Sequence, residues 1–333
     1  MCRPRQATSI RLKVSKLESA VLKKKRKTLH EGSIIYIIFA ILIVFFSAIL
    51  GTRFLSVLNI MNILRQTAMI SIMSVGMTFV LSTGEIDLSV GSTIALAALM
   101  TALGLRINIA VGIAAGITVG LLVGLFNGTM VAWAGIPSFL VTICSANILA
   151  GLARWVTDLK SVEIVNDWFN FVFGSGDIGP VPVLFLWTLA GTVIGYVLLN
   201  KTVFGKQVLA TGGNAKAAFY TGINTRVIKL KALLLSSTTA ALAGMLYAGR
   251  LHGARYTLGE GYDLSVIAAT VLGGTSLFGG KGAIIGSVVG SIVIGVINNG
   301  LILMGLSIAQ QMFFKGVVLL IAISINVRLQ SQQ

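Results

Sequence analysis

Residues 271–283 read VLGGTSLFGGKGA, a glycine-rich run with Lys281 behind its second glycine pair. A phosphate-gripping loop needs Gly, four residues, then Gly-Lys-Ser/Thr, so that backbone N–H groups wrap the phosphates and a hydroxyl reaches Mg²⁺. Counting back from Lys281, Thr275 stands where the first Gly belongs, and Gly282 stands where the hydroxyl belongs. Both ends of the pattern fail. The run instead separates two long apolar stretches, and its glycines suit a tight reversal between closely packed helices. Read this way, the segment points to a bundle of apolar helices.

The composition agrees. Of 333 residues, 56% are hydrophobic and only 11% charged, with a mean hydropathy of +0.93. A soluble domain carries about 25% charged residues. Several stretches run long enough to span a hydrocarbon core of about 30 Å at a rise of about 1.5 Å per residue. The expected fold class is therefore an all-α integral membrane protein. The 38 glycines have no three-residue period and lie among Val, Ile and Leu, which excludes a collagen-like chain and fits helix–helix packing. Cys2 and Cys144 make neither a disulfide framework nor a metal pattern, and Cys144 is expected to pack inside a span.

Ten spans fit, near 34–51, 58–81, 87–104, 107–131, 136–156, 181–199, 231–250, 262–279, 283–304 and 309–327. The net charge of +16 is concentrated in ten basic residues within 1–33 and six within 201–231. Basic residues beside spans mark the cytoplasmic side. The run Lys23-Lys24-Lys25-Arg26-Lys27 is thus read as a topology anchor near anionic headgroups, rather than as a nucleic-acid site. The expected organisation is a basic cytoplasmic arm at 1–33, a transmembrane domain at 34–328 with a cytoplasmic loop at 200–230, and a cytoplasmic tail at 329–333. Both termini then lie in the cytoplasm, the arrangement expected of a multi-pass membrane protein with an even number of crossings.

The chain also echoes itself. DLSV occurs at 87–90 and 263–266, FNG at 126–128 is matched by NNG at 298–300, and AGIPS at 134–138 by MGLSI at 304–308. The copies begin at the third and eighth spans, an odd number of crossings apart. That spacing predicts an inverted repeat, as in transporters built around a site near the midplane.

Within the loop, GGNAKAAFYTG (212–222) has a physical logic. Asn214 can cap a helix over Ala215–Tyr220, and Gly222 can end it in a left-handed conformation. So short a helix is unstable alone, which predicts that it docks against a partner through Ala217, Ala218 and Phe219. In STGEIDLSVGS (82–92), Glu85 and Asp87 stand where two spans meet, and carboxylates there are costly and usually functional. Asp87 is read either as a cap of the next helix, with Ser89 and Ser92 bonding nearby backbone, or as a substrate contact. Asp263 invites the same two readings. Asn127, Asn298 and Asn299 fall inside spans and must pair with a neighbouring helix or with a polar solute. Arg65 and Lys315 also fall within spans and are expected to pair or snorkel. No catalytic residue and no metal set is expected.

The stretches GEIDLSVGS (84–92), FGKQVLATGGNAKAAFYTGIN (204–224) and YDLSVIAATVLGGTSLFGGKGAIIGSVVGSIVIGVINNGL (262–301) resemble permease subunits of bacterial ABC importers for monosaccharides. The similar group carries ribose, xylose and arabinose, with the autoinducer-2 importer as a cousin. The resemblance runs from about residue 55 to 325 and leaves the basic arm outside. It implies a type II importer-like permease that binds no cofactor itself. Two permeases, a second copy or a paralogue, would form the pathway. ATP and Mg²⁺ would sit on partner ATPase subunits, and a periplasmic sugar-binding protein would deliver the solute. The family's coupling helix maps onto Asn214–Tyr220, which makes Gly205, Gly212, Gly213, Asn214, Ala217, Ala218 and Gly222 the candidate ATPase-coupling residues. The pathway candidates are Glu85, Asp87, Ser89, Asn127, Asp263, Asn298 and Asn299. Glu85 replaces a glycine of the commonest family form, GGIDLSVGS. The rival reading is an ion-coupled secondary transporter of a small polar solute, with Glu85 and Asp87 as its only coupling carboxylates.

Overall fold

A computed structural model describes residues 35–314 together with 316, 317, 320 and 324. The basic arm, Cys2, Lys315, the tail and much of the expected tenth span lie outside the described residues. The remaining nine spans are all helices. They are α1 (Ile35–Leu50), a short α2 (Thr52–Leu55), α3 (Val57–Ser82), α4 (Val90–Leu105), α5 (Ile109–Ala132) and α6 (Ser138–Thr157). After α7 (Asp167–Asn170) come α8 (Val183–Lys201), α9 (Val203–Gly213), α10 (Ala215–Tyr220), α11 (Thr225–Leu251), α12 (Tyr262–Leu272) and α13 (Ile284–Leu303). Among the described residues, α3, α5, α6, α8, α11 and α13 are long and apolar enough to cross a membrane, and α1, α4 and α12 are shorter apolar helices. The chain is an all-α integral membrane protein that crosses several times.

Polar residues open most of the helices. Asn108 Oδ1 accepts from Val111 N–H at 2.8 Å at the start of α5, and Ser56, Thr202, Asn214 and Asn224 do the same for α3, α9, α10 and α11. Burial then sorts the helices. In its most apolar stretch α3 is 83% buried, against 22% for α8, so α3 is a central pillar and α8 lines the periphery.

Close approach holds the pillars together. Gly116, Gly120, Gly124 and Gly128 recur every fourth residue on α5 and face Met245, Ala241, Leu234 and Leu230 of α11 in turn. A Cβ on Gly124 would stand 2.6 Å from Leu234 Cα, so only glycine permits this contact. On its other side α3 meets α13 through a polar ladder. Ser71 pairs with Ser291 at 2.5 Å, Thr78 Oγ1 donates to Ser287 Oγ at 2.9 Å, and Asn59 and Asn299 exchange two amide hydrogen bonds of 3.0 and 2.9 Å.

These contacts also set the directions of the helices. Along α3, Arg65 meets Arg250 and Gly76 meets Ser236, so α3 and α11 are antiparallel. The glycine row makes α5 antiparallel to α11 as well, and hence parallel to α3. The ladder makes α13 antiparallel to α3. The helices carrying FNG and NNG therefore run in opposite senses, as an inverted repeat requires. Gly135 (φ +70°) and Gly305 (φ +76°), from the AGIPS and MGLSI echoes, turn the chain in the same left-handed way just beyond these two helices.

Three expectations are corrected. The span expected over 262–279 stops at Leu272, because Gly274, Gly279 and Gly280 take positive φ and fold 273–283 into a compact loop. Eleven residues rise only about 16 Å, too little to cross a bilayer. The expected loop at 200–230 is mostly helix, since α8 runs to Lys201, α9 fills 203–213 and α11 starts at Thr225. Cys144 is exposed on α6 rather than packed inside.

Outside the helices, β1 (Val162–Glu163) pairs antiparallel with β4 (Gly253–Ala254), and β2 (Asp177–Ile178) with β3 (Val181–Pro182). Here Arg65 Nη2 donates to both carboxylate oxygens of Asp177, each at 2.7 Å, so the charge on α3 is met by the 157–180 connection. The aromatic run at 167–173 divides. Phe169 and Phe173 are buried and stack at 4.7 Å, while Trp168 and Phe171 face outward.

Candidate functional site

The end of the bundle where α3 and α5 finish and α11 begins carries α10. Asn214 Oδ1 accepts from Ala217 N–H at 3.0 Å, and Gly222 at φ +88° closes the helix, with Ile223 N–H donating to Ala218 O at 3.1 Å. The helix, its cap and its terminator fall where the spacing predicted them. Ala218 is buried beneath the helix, whereas Phe219 and Tyr220 stand 64% and 86% exposed. They flank an open groove of about 860 Å³ lined also by Trp133, Lys216, Gly222 and Arg226. Two exposed aromatic rings beside a groove form a surface suited to an interlocking protein partner.

The glycines ahead of α10 are packing residues. Gly205 lies against Leu199 O in the sharp turn from α8 to α9, and Gly212 presses on the carbonyl of Ser82 at the end of α3. Gly280 N–H donates to that same carbonyl at 3.0 Å. The 273–283 loop, the end of α9 and the end of α3 thus meet backbone to backbone, which is the use of the glycines in GGTSLFGGKGA. By contrast, a Cβ on Gly213 would find only Gly280 Cα, at 3.9 Å.

Deeper in the bundle the GEIDLSV segment buries Asp87, Ser89 and Val90 and ties its backbone to a neighbouring helix. Ile86 and Leu88 donate their N–H groups to Ser138 Oγ and Thr142 Oγ1 of α6, each at 3.0 Å. Asp87 accepts from Ser89 N–H at 2.9 Å and from Ser89 Oγ–H at 2.6 Å. Asn127 Nδ2 donates to Ser89 Oγ at 2.9 Å and its Oδ1 accepts from Ser145 Oγ at 2.5 Å. The second Asp87 oxygen faces the Ser236 hydroxyl on α11, both atoms being otherwise without a partner. Asp87, Ser89, Asn127 and Ser145 so form one dry chain joining the start of α4 to α5 and α6, with Ser236 of α11 facing its Asp87 end. Asp87 does not cap α4, whose N-cap is Ser89 with no side-chain hydrogen bond; the carboxylate tightens its own loop instead.

The remaining candidates are dispersed. Glu85 makes an ion pair of 2.5 Å with Lys229 of α11, with 12% and 27% of the side chains exposed. Asn299 is occupied by Asn59, and its neighbour Asn298 is partly exposed. Asp263 is not in a buried loop like Asp87 but in the first turn of α12, where it lines a separate cavity. Residues absent from the sequence reasoning complete these networks, namely Ser138, Thr142, Ser145, Lys229 and Asn59. Serine and threonine are common in packed membrane helices, so their types alone give no signal. Among the described residues no cluster of His, Cys, Asp and Glu could hold a metal.

No solved structure matches the chain. It is 41% identical over 288 residues to the ribose import permease protein RbsC of Bacillus subtilis, covering 86% of this chain and 89% of that one. It is 36% identical over 289 residues to the L-arabinose transport system permease protein AraH of Escherichia coli, covering 86% and 88%. With the D-allose transport system permease protein AlsC of Escherichia coli it shares 33% over 296 residues, covering 87% and 90%. Residues 59–323 match the profile of the branched-chain amino acid transport system / permease component family, and the chain, whose α4–α13 and nearly all of α3 fall within that span, belongs to this permease family.

Proposed function

We propose that the chain is the translocation subunit of an ATP-driven ABC importer for a monosaccharide or related small polar solute. The observation that carries this is α10, a short capped helix that exposes Phe219 and Tyr220 beside a groove at one end of a permease bundle. Separate ATPase subunits, holding ATP and Mg²⁺, dock on that helix. Its motion reaches α3 and the 273–283 loop through Gly212. A periplasmic binding protein feeds the opposite end, and a second permease copy or paralogue completes the pathway.

The charge distribution supports this orientation. Lys201, Lys206, Lys216, Arg226, Lys229 and Lys231 gather at or near the α10 end, which favours a cytoplasmic position for it in a bacterial inner membrane. The names of the relatives point to free sugars as the cargo. Glu85 and Asp87, the carboxylates an ion-coupled mechanism needs, are taken up by Lys229 and Ser89.

The test is purification of the tagged chain from its host membrane, followed by reconstitution of whatever accompanies it. Co-purification of an ATPase subunit at near-equal amount, and sugar uptake that stops when ATP is withheld, are the expected results. Recovery of the chain alone, with uptake driven by an ion gradient in ATP-free vesicles, would sink the proposal.

A further inference from the structure

At the far side of the bundle from Gly212, the first turn of α4 meets the connection between α11 and α12. Gly91 packs so closely on Gly259 that a Cβ there would stand 2.6 Å from the Gly259 carbonyl oxygen. Beside this contact, between α4, α6 and the start of α12, lies a cavity of about 190 Å³ lined by Gly91, Ser92, Arg154, Tyr256, Glu260 and Asp263 among others. None of the buried Asp87 network's hydrogen-bonding side chains lines it.

The polar groups here are organised. The Arg154 guanidinium lies 5.2 Å over the Tyr256 ring, donates to Ala150 O at 3.0 Å and pairs with Glu260 at 3.3 Å. The Tyr256 ring and the Ala150 carbonyl orient the guanidinium, while its contact with Glu260 is largely solvent-exposed. The amides of Gly91 and Ser92 lie in the first turn of α4, where N–H groups have no intrahelical acceptor. Against these donors stands Asp263, a bare acceptor that no hydrogen bond or ion pair engages among the described residues.

Donors and an unpaired acceptor in one cavity match a group that both donates and accepts, which is what a hydroxyl does. An anion would meet the Asp263 charge. An apolar solute would leave these groups without partners, at a cost. An alkylammonium would satisfy only the carboxylate. We infer that this cavity is a solute-contact site of the permease, taking a neutral polyhydroxylated solute whose hydroxyls bond Asp263 and the Ser92–Arg154 side. The inference rests on the importer reading above and assigns recognition within it to Arg154, Glu260 and Asp263.

The assembled importer, with its ATPase and binding protein, is reconstituted in vesicles and initial uptake of radiolabelled D-ribose, D-allose and L-arabinose is measured alongside ATP hydrolysis. Two independent variants probe the cavity. Asp263→Leu removes the acceptor, and Ala146→Leu fills the cavity from α6 without altering any charge. Each is expected to lower uptake of the carried sugar about tenfold, the loss of one hydrogen bond to a charged group, while yield of the assembled complex and ATP hydrolysis stay near the parent level. Asp263→Asn, which keeps an acceptor oxygen, is expected to fall between the parent and Asp263→Leu. Parent-level uptake in both leucine variants overturns the inference and leaves the importer reading standing. Competition by L-leucine but by none of the three sugars overturns the polyhydroxyl assignment. Absence of any ATP-dependent uptake by the parent assembly removes the importer reading, and this inference with it.

Discussion

Gly212 rests on the carbonyl oxygen of Ser82, and the space between them has no room for a methyl group. The same oxygen accepts from Gly280 N–H at 3.0 Å, so one backbone atom at the end of α3 joins the helix that leads into α10 to the glycine loop that leads into α13. The contact therefore links α9, which carries α10, to the end of α3 and to the 273–283 loop.

Gly212→Ala is therefore expected to force α9 away from α3 and to lower stability by about 1–3 kcal/mol, the usual range for overpacking. In the assembled importer it should also weaken the link between ATP hydrolysis and uptake. Gly213→Ala, whose new Cβ meets only ordinary contact, is the matched control and should behave like the parent. Ratios of sugar moved to ATP hydrolysed, measured for both, decide the matter; equal ratios would remove Gly212 from the coupling path.

Phe219→Ala and Tyr220→Ala delete largely exposed rings whose ring contact among the described residues is with each other, at 6.1 Å. Thermal melting in detergent should move little. Recovery of the ATPase subunit with the tagged permease should fall strongly in the double variant, because exposed aromatic anchors of this type dominate interfaces. Unchanged recovery would place the ATPase elsewhere.

The Asn59–Asn299 amide pair predicts a non-additive pattern. Removing one side, as in Asn299→Leu, leaves the buried Asn59 Oδ1 without its donor, while Nδ2 keeps Phe54 O, and should cost about 1–2 kcal/mol. Removing both with Asn59→Leu should cost less than the sum of the two single changes. A double-mutant cycle on detergent unfolding measures the coupling, and strict additivity would mean that the pair contributes nothing.

Ser89 stands at the centre of the dry chain, accepting from Asn127 and donating to Asp87. Ser89→Ala leaves both without that partner and is expected to destabilise the fold by about 1–3 kcal/mol. Ser92→Ala, one turn on and partly exposed, should be mild in stability. Parallel melting curves of the two variants would show a clear gap, and coincident curves would count against the network.

Glu85 and Lys229 form a partly buried pair, so Glu85→Gln should lower stability by about 1 kcal/mol or more, between the exposed and buried limits. The charge-swapped double change Glu85→Lys with Lys229→Glu should recover part of the loss. Salt titration of the melting temperature gives a second measure, since screening weakens such a pair only in proportion to its exposure.

Much of this was legible along the chain, because it depends on neighbours in sequence. Apolar stretches of spanning length are local, and nine of them became helices, most near the expected bounds, although the stretch at 262–279 stops at Leu272 and the one expected from 231 begins at Thr225. Asn214, the following alanines and Gly222 fall within one short window, so the α10 cap and stop could be read directly. The failed spacing around Lys281 removed a nucleotide loop for the same reason. The four-residue glycine period of α5 was also present in the sequence as a helix-packing signal, although only the partner face on α11 gives it meaning.

What tertiary structure alone decided was which polar groups meet. Asp87 and Asp263 share the letters DLSV, yet one is sealed among α4, α5, α6 and α11 and the other lines a cavity with Arg154 and Glu260. Asn299 finds Asn59 across 240 positions, and Glu85 finds Lys229 across 144, distances over which a residue type carries no information about its partner. The physical reason is that an apolar interior prices every unpaired polar group, while pairing depends on helix direction and offset set by close backbone contacts elsewhere. The sequence by itself determined that this chain forms membrane helices and ends one of its loops in a short exposed helix; the packing of those helices determined that Asp87 is locked in a buried network while Asp263 lines a cavity.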